Sequence, residues 1–281
     1  MNRRNILLIT ALFLCAALPA TSGELLLPVF AHNLEGRNGD IWSSEIYLTN
    51  PSDQPVLVEI ARFLPGDIDR PTPCDLLMGP TRVVPPQSAT VWTASGLATD
   101  LGCAERVRGG LVLRADGEVH ITSRLVNLAG NDDSEPGTVL SGSGEAFETI
   151  AIEDLPPPGT HLLPALMWHR NPCNGAAFDT FVGFSNPGSE SVDVVLDVPH
   201  EMGRTANLNG RKISLPHDLQ IPAGSWRQYR LAPVRDEDSC GDVESFLVRL
   251  KISGPVALYA SVIDRKSGDP RTVMPVSLAL P

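Results

Sequence analysis

The chain repeats itself, and that constrains what it can fold into more than any other feature. Shifted by 136 residues, positions 26–60 align with 162–196 without a gap and with nine identities in 35 positions. Leu26-Leu27-Pro28 meets Leu162-Leu163-Pro164, Asn38-Gly39 meets Asn174-Gly175, and Asn50-Pro51 meets Asn186-Pro187. Val56 and Val58 meet Val192 and Val194, while Trp42 and Leu48 meet Phe178 and Phe184. Further on, Pro86 meets Pro222 at the same shift; at a shift of 137, Cys103 meets Cys240, Leu113 meets Leu250, Gly117 meets Gly254 and Val119 meets Val256. A single inserted residue over that length indicates duplication. Each copy, of about 125 residues, is large enough to bury a core of its own. The predicted domains are 24–152 and 159–281, joined by a stiff linker at 153–158 that contains Pro156, Pro157 and Pro158.

Within a copy the hydrophobic period is two. Apolar or β-branched runs of strand length recur between Gly, Pro, Asn, Asp and Ser: Glu45–Thr49, Val56–Leu64, Arg82–Val84, Thr90–Trp92, Leu111–Arg114 and Val119–Val126 in the first copy. The second offers Phe181–Ser185, Val192–Val198, Lys212–Leu215, Arg227–Leu231, Phe246–Ile252 and Val256–Ile263. Asn-Pro at 50–51 and 186–187 predicts tight turns, and Asn209-Gly210 a two-residue hairpin. A short helical piece fits around Leu97–Leu101. The expected fold class is therefore all-β, two tandem Ig-like β-sandwich domains.

Residues 1–23 read as a signal peptide: Arg3 and Arg4, an uncharged apolar run from Ile6 to Leu18, then Pro19 and the small residues Ala20 to Gly23. That run is shorter than the roughly 20 apolar residues of a membrane span. The expectation is a secreted or periplasmic protein with no membrane insertion after signal cleavage. Removing Arg3 and Arg4 from 22 basic residues leaves 20 against 33 acidic, 20 − 33 = −13. That balance opposes nucleic acid as a partner, because it is a polyanion.

Four cysteines remain in the predicted mature chain: Cys74, Cys103, Cys173 and Cys240. An even count in an exported chain predicts two disulfides. Cys103 and Cys240 are equivalent in the repeat, whereas Cys74 and Cys173 are not. Pairing within each domain, Cys74–Cys103 and Cys173–Cys240, would stabilise each by about 4 kcal/mol; a cross-domain pairing is the alternative. A metal site from Cys173, His169 and His161 is weighed against this and disfavoured, since no Cys-x-x-Cys pair exists.

Motifs for catalysis are missing from the sequence. There is no Gly-x-Ser-x-Gly elbow, phosphate loop or dinucleotide fingerprint, and His200-Glu201 has Arg204 where a zinc-binding helix would need a second histidine. The acidic loops at Asp132-Asp133-Ser134-Glu135 and around Asp236-Glu237-Asp238 lack an EF-hand spacing and read as solvated. No cofactor or metal is expected. Trp42 reads as core. Trp168 and Trp226, whose counterparts in the other copy are His32 and Ala89 or Thr90, mark a candidate binding surface.

Asn-Gly-x-x-Trp-Ser-Ser-Glu at 38–45, Ile-Tyr-Leu-Thr-Asn-Pro-Ser at 46–52, Gly-Glu-Val-His-Ile-Thr-Ser-Arg at 117–124 and Ala-Ser-Val-Ile-Asp-Arg-Lys-Ser-Gly-Asp-Pro at 260–270 resemble an uncharacterised exported bacterial tandem β-sandwich family. The resemblance implies an Ig-like exported module and carries no catalytic residue. Three functions follow as expectations: a non-catalytic binding or structural module for an unknown protein or glycan ligand, a polysaccharide-active hydrolase, and an envelope chaperone or assembly factor.

Overall fold

The computed structural model describes residues 23–35, 41–66, 79–103, 106–127, 144–170, 177–199, 205–233, 244–264 and 270–278. They form an all-β protein of antiparallel sheets, as the period-two patterning predicts.

The first set of strands is β1 (Glu24–His32), β2 (Leu34–Glu35), β3 (Ile41–Asn50), β4 (Val56–Pro65), β5 (Thr81–Val84), β6 (Ser88–Thr93), β7 (Val107–Ala115), β8 (His120–Asn127), β9 (Gly144–Glu148) and β10 (Ile150–Ala151), with a short helix α1 (Ala94–Asp100) after β6. One sheet runs β10-β1-β7-β4-β5; the other is built on β3, β8 and β9, with β6 and β2 also pairing with β3. The second set is β11 (Gly159–Arg170), β12 (Ala177–Asn186), β13 (Val192–Asp197), β14 (Thr205–Leu208), β15 (Arg211–Ser214), β16 (His217–Ile221), β17 (Ser225–Pro233), β18 (Glu244–Ile252), β19 (Ala257–Asp264), β20 (Pro270–Val273) and β21 (Val276–Ser277). Its pairings reproduce the first: β21-β11-β18-β13-β16 matches β10-β1-β7-β4-β5, and β17-β12-β19-β20 matches β6-β3-β8-β9. The two sequence copies therefore fold as two equivalent units. In each, the strand equivalent to β7 lies between the first strand and the β4 equivalent, whereas an Ig sheet sets the last strand beside it.

The matched residues explain themselves in this frame. Leu-Leu-Pro breaks the ladder at the same place in both units, between Leu27 and Phe30 and between Leu163 and Leu166. Proline has no N–H to give, so a bulge forms there. The two asparagines tie their Asn-Pro turns to the loop before the fifth strand. Asn50 Nδ2 donates to the carbonyls of Gln54 (2.7 Å), Val84 (3.1 Å) and Pro85 (3.1 Å), and Asn186 Nδ2 to those of Glu190 (2.8 Å), Ile221 (3.1 Å) and Pro222 (3.1 Å).

Those partners correct the alignment by one place. Pro222 corresponds to Pro85, not Pro86, so the inserted residue falls before Val84. The run at 212–215 has no counterpart among the described residues of the first unit. It belongs to a hairpin, β14–β15, turning at Asn209 (φ 50°) and Gly210 (φ 83°), while β16 takes the β5 position.

Each unit has its own apolar core. Leu26, Ile46, Trp92, Leu97 and Leu113 lie in the first; Leu163, Val182, Phe184, Leu250 and Leu258 lie in the second. Leu155, in the segment read as a linker, is buried in the first core.

Candidate functional site

Three residues of the second unit, Trp226, Ala257 and Tyr259, are buried in the apolar cluster of the first. They identify a joint in which the outward face of β1, β4 and β7 meets the outward face of β12, β17 and β19.

Burial along the strands shows the joint directly. In the second unit, Phe246, Val248, Leu250 and Ile252 of β18 are buried while Ser245, Arg249 and Lys251 are exposed. Its counterpart β7 is buried on both faces from Gly109 to Leu113. Conversely, β8 alternates between exposed His120 and Thr122 and buried Ile121 and Ser123, whereas its counterpart β19 is buried throughout Ala257–Val262. One strand of each equivalent pair has its second face covered, because the two units cover each other.

The contacts are close and directional. Trp226 is 3% exposed; a Cβ on Gly66 would stand 2.9 Å from its ring, and the Arg108 guanidinium lies 5.9 Å from its ring centre. Phe147 meets Tyr259 edge-to-face, with ring centres 5.5 Å apart. Burying aromatic side chains of this size stabilises by roughly 2–3 kcal/mol each. Ser185 Oγ donates to the Pro28 carbonyl (2.8 Å), the oxygen that the Leu-Leu-Pro bulge releases from its ladder. Arg62 Nη1 donates to the Pro187 carbonyl (2.7 Å) and Arg227 Nη1 to the Gly66 carbonyl (2.8 Å).

At one edge of the joint the first unit inserts a carboxyl. Glu145 on β9 is 3% exposed and meets Ser261 Oγ (2.7 Å) on β19 and Thr272 Oγ1 (2.8 Å) on β20. Desolvation pushes its pKa up to about 7 against the two hydroxyl contacts. Desolvation is also the main cause that raises the neighbouring Tyr259 phenol well above its ordinary value, with the Glu145 charge adding to it.

The same face on the first unit is open. There Tyr47 on β3 donates its phenol to Glu45 (2.6 Å), and that bond, with burial second, raises the Tyr47 pKa. Arg124 and Thr122 flank it on β8.

The residues singled out from sequence fare unequally. Trp226 is no exposed binding tryptophan: the surface it lines is occupied by the first unit, because Gly66 leaves room for its ring. The side chain of Trp168 lies outside the described residues, as do Cys74, Cys173, Cys240, His200 and both acidic loops. Cys103 is partly buried against the first core and engaged by a partner. His161 is 1% exposed, with Nε2 2.9 Å from the Pro157 carbonyl and Nδ1 3.1 Å from Ser277 Oγ, so both ring nitrogens serve the fold. Among the described residues, no three His, Cys, Asp or Glu side chains gather as metal ligands. No helix among them is long and apolar enough to cross a membrane.

Geometry thus defines an all-β sandwich-type protein of antiparallel sheets, in which a repeated set of strand pairings meets face to face. No family model matches the chain, and no curated protein matches it. Among solved structures, the C-terminal domain of the Streptococcus pyogenes antigen I/II-family protein AspA aligns over 90% of this chain and 99% of that one, at 8% identity and a TM-score of 0.17. A chain of the T13 IBDV viral particle aligns over 93% of this chain and 79% of that one, at 12% identity and a TM-score of 0.13.

Proposed function

We propose that the chain is an exported, non-catalytic binding or structural module whose two units are joined face to face. The observation that carries this reading is the joint. A face of each unit is consumed in holding the other, and the residues shared by the copies are turn, bulge and core residues. Function then falls to what the copies do not share. The open face of β3 and β8, with Glu45, Tyr47, Thr122 and Arg124, is the counterpart of the face that β12 and β19 use for docking. An aromatic ring flanked by a carboxylate and a guanidinium suits a polar partner such as a glycan or a peptide. Export carries with it the disulfides Cys74–Cys103 and Cys173–Cys240.

Glycan-array and pull-down binding by the full chain, beside Tyr47→Ala and a broad polysaccharide-hydrolase screen, tests the reading. The expected result is a ligand retained by the wild type and lost or weakened at least tenfold in Tyr47→Ala, without turnover. Turnover abolished by replacing one acid would establish the hydrolase instead.

A further inference from the structure

We propose that Glu145 is a protonation-controlled latch between the two units: its neutral form holds β9 against β19 and β20, and its ionisation loosens that contact.

The geometry alone argues for a neutral carboxyl. Thr272 Oγ1 lies 2.8 Å from Glu145 Oε1 and 3.1 Å from the Ala146 carbonyl, and a threonine hydroxyl has a single hydrogen. If Glu145 is ionised, that hydrogen must go to the buried carboxylate and the carbonyl of exposed Ala146 turns to solvent. If Glu145 is protonated, its own hydrogen goes to Thr272 Oγ1, the Thr272 hydrogen goes to Ala146, and the Ser261 hydroxyl goes to Glu145 Oε2 (2.7 Å). The carboxyl then both donates and accepts within the protein, which matters because Glu145 itself is 3% exposed, whereas Ala146 is open to solvent.

The charged groups around the site give the carboxylate little help. On β19 the titratable neighbour is Tyr259, a neutral phenol whose charge would repel that of Glu145. Arg108 on β7 lies over the Trp226 ring of β17. On β20, Arg271 donates to the Ala165 carbonyl. On β8, Arg124 acts on Tyr47. Glu148, further along β9, is exposed. Desolvation therefore dominates and raises the pKa to about 7.

The direction follows from linkage. A carboxyl whose pKa is higher in the closed joint than in water favours closure fully below the ordinary value near 4.5. That advantage fades as pH rises through about 7. Between those values the opening equilibrium grows by up to about tenfold per pH unit, and it levels off above them. The latch thus weakens on passing from mildly acidic to neutral surroundings.

Amide hydrogen exchange of the full chain, corrected for intrinsic rates, tests this from pH 5 to 8 in the wild type and in Glu145→Gln, whose amide supplies a permanent donor and acceptor. Wild-type amides of β9, β19 and β20 are expected to lose protection as pH rises, by at least tenfold, while those of the glutamine variant hold level. Carboxyl-carbon NMR of wild-type Glu145 gives a second readout that needs no substitution, with an expected midpoint near 7. A midpoint near 4.5, or exchange in the two proteins that stays parallel across the range, would overturn the latch.

Discussion

Tyr259 and Gly183 stand opposite each other on β19 and β12, and the phenol ring fills the space where a Cβ at 183 would be, 1.9 Å from its Cζ. At the equivalent place in the first unit the ring is on the other strand, with Tyr47 of β3 opposite Thr122 of β8. The swap decides which face docks. Laid over a glycine, the Tyr259 ring lies low enough for Phe147 to close on it, whereas Tyr47 remains half-exposed with its phenol on Glu45.

Gly183→Ala is accordingly expected to destabilise the chain by about 1–3 kcal/mol or more, since the added methyl has to displace a buried ring. Tyr259→Phe has the opposite expectation. The buried Tyr259 hydroxyl makes no hydrogen bond of normal geometry and interacts only weakly with the Trp226 side chain, so its removal is expected to leave stability within about 1 kcal/mol of wild type. Urea unfolding of the two variants checks both, and a large loss in the phenylalanine variant would reveal a partner for the hydroxyl.

Asn50 and Asn186 each hold a turn through one side-chain amide that has two hydrogens for three carbonyl oxygens. Their Oδ1 atoms complete the turn by accepting from the backbone N–H of Ser52 and Gly188, each at 2.9 Å. Replacing either by alanine strands these buried groups and is expected to cost about 2–4 kcal/mol. Aspartate at either position, which turns a donor into an acceptor facing carbonyls, is expected to cost at least as much. Denaturant midpoints at constant slope measure the effect, and a loss below about 0.5 kcal/mol would mean that water takes over the bonds.

Much of this was legible in the sequence, and the part that was not has a physical cause. The duplication, the strands and the turns at Asn50-Pro51, Asn186-Pro187 and Asn209-Gly210 follow from local pattern, which backbone sterics and one-sided burial impose residue by residue. The joint depends on which of two sandwich faces meets water, and no single strand announces that. A signal existed in the comparison of copies: His120-Ile121-Thr122-Ser123-Arg124 alternates, while Ala257-Leu258-Tyr259-Ala260-Ser261 is an almost unbroken small and apolar run. Such a contrast between equivalent strands marks a face that is covered in one copy and open in the other. Reading Trp226 against Ala89 as a sign of exposure inverted that logic, since the large residue had been placed where a partner lands.

Non-reducing peptide mapping is expected to yield peptides linked through Cys74–Cys103 and Cys173–Cys240. Cys103 sits just beyond α1, partly buried against the first core, so reduction is expected to lower the stability of that unit by about 2–4 kcal/mol. A peptide joining the two units would instead establish the cross-domain pairing.

The joint is head-to-tail, which raises the question of whether it repeats between molecules. Its two faces are different surfaces, so the second unit's β11-β18-β13 face and the first unit's β3-β8 face are both left free to repeat it between molecules, and such contacts build open filaments. The side chains prevent this. Where the joint has Glu145 facing Ser261, a repeated joint would set Arg271 against Arg124, as the strand registers show. Where Gly110 allows Ser185 to approach, the second unit carries Leu247, which would meet Thr49. Two guanidiniums brought together in a desolvated contact cost several kcal/mol, and the leucine adds a steric barrier. Sedimentation velocity of the full chain is therefore expected to show no concentration-dependent series of larger species. A series that appeared in the wild type and lengthened in Arg124→Ser would show the joint repeating between chains despite these residues.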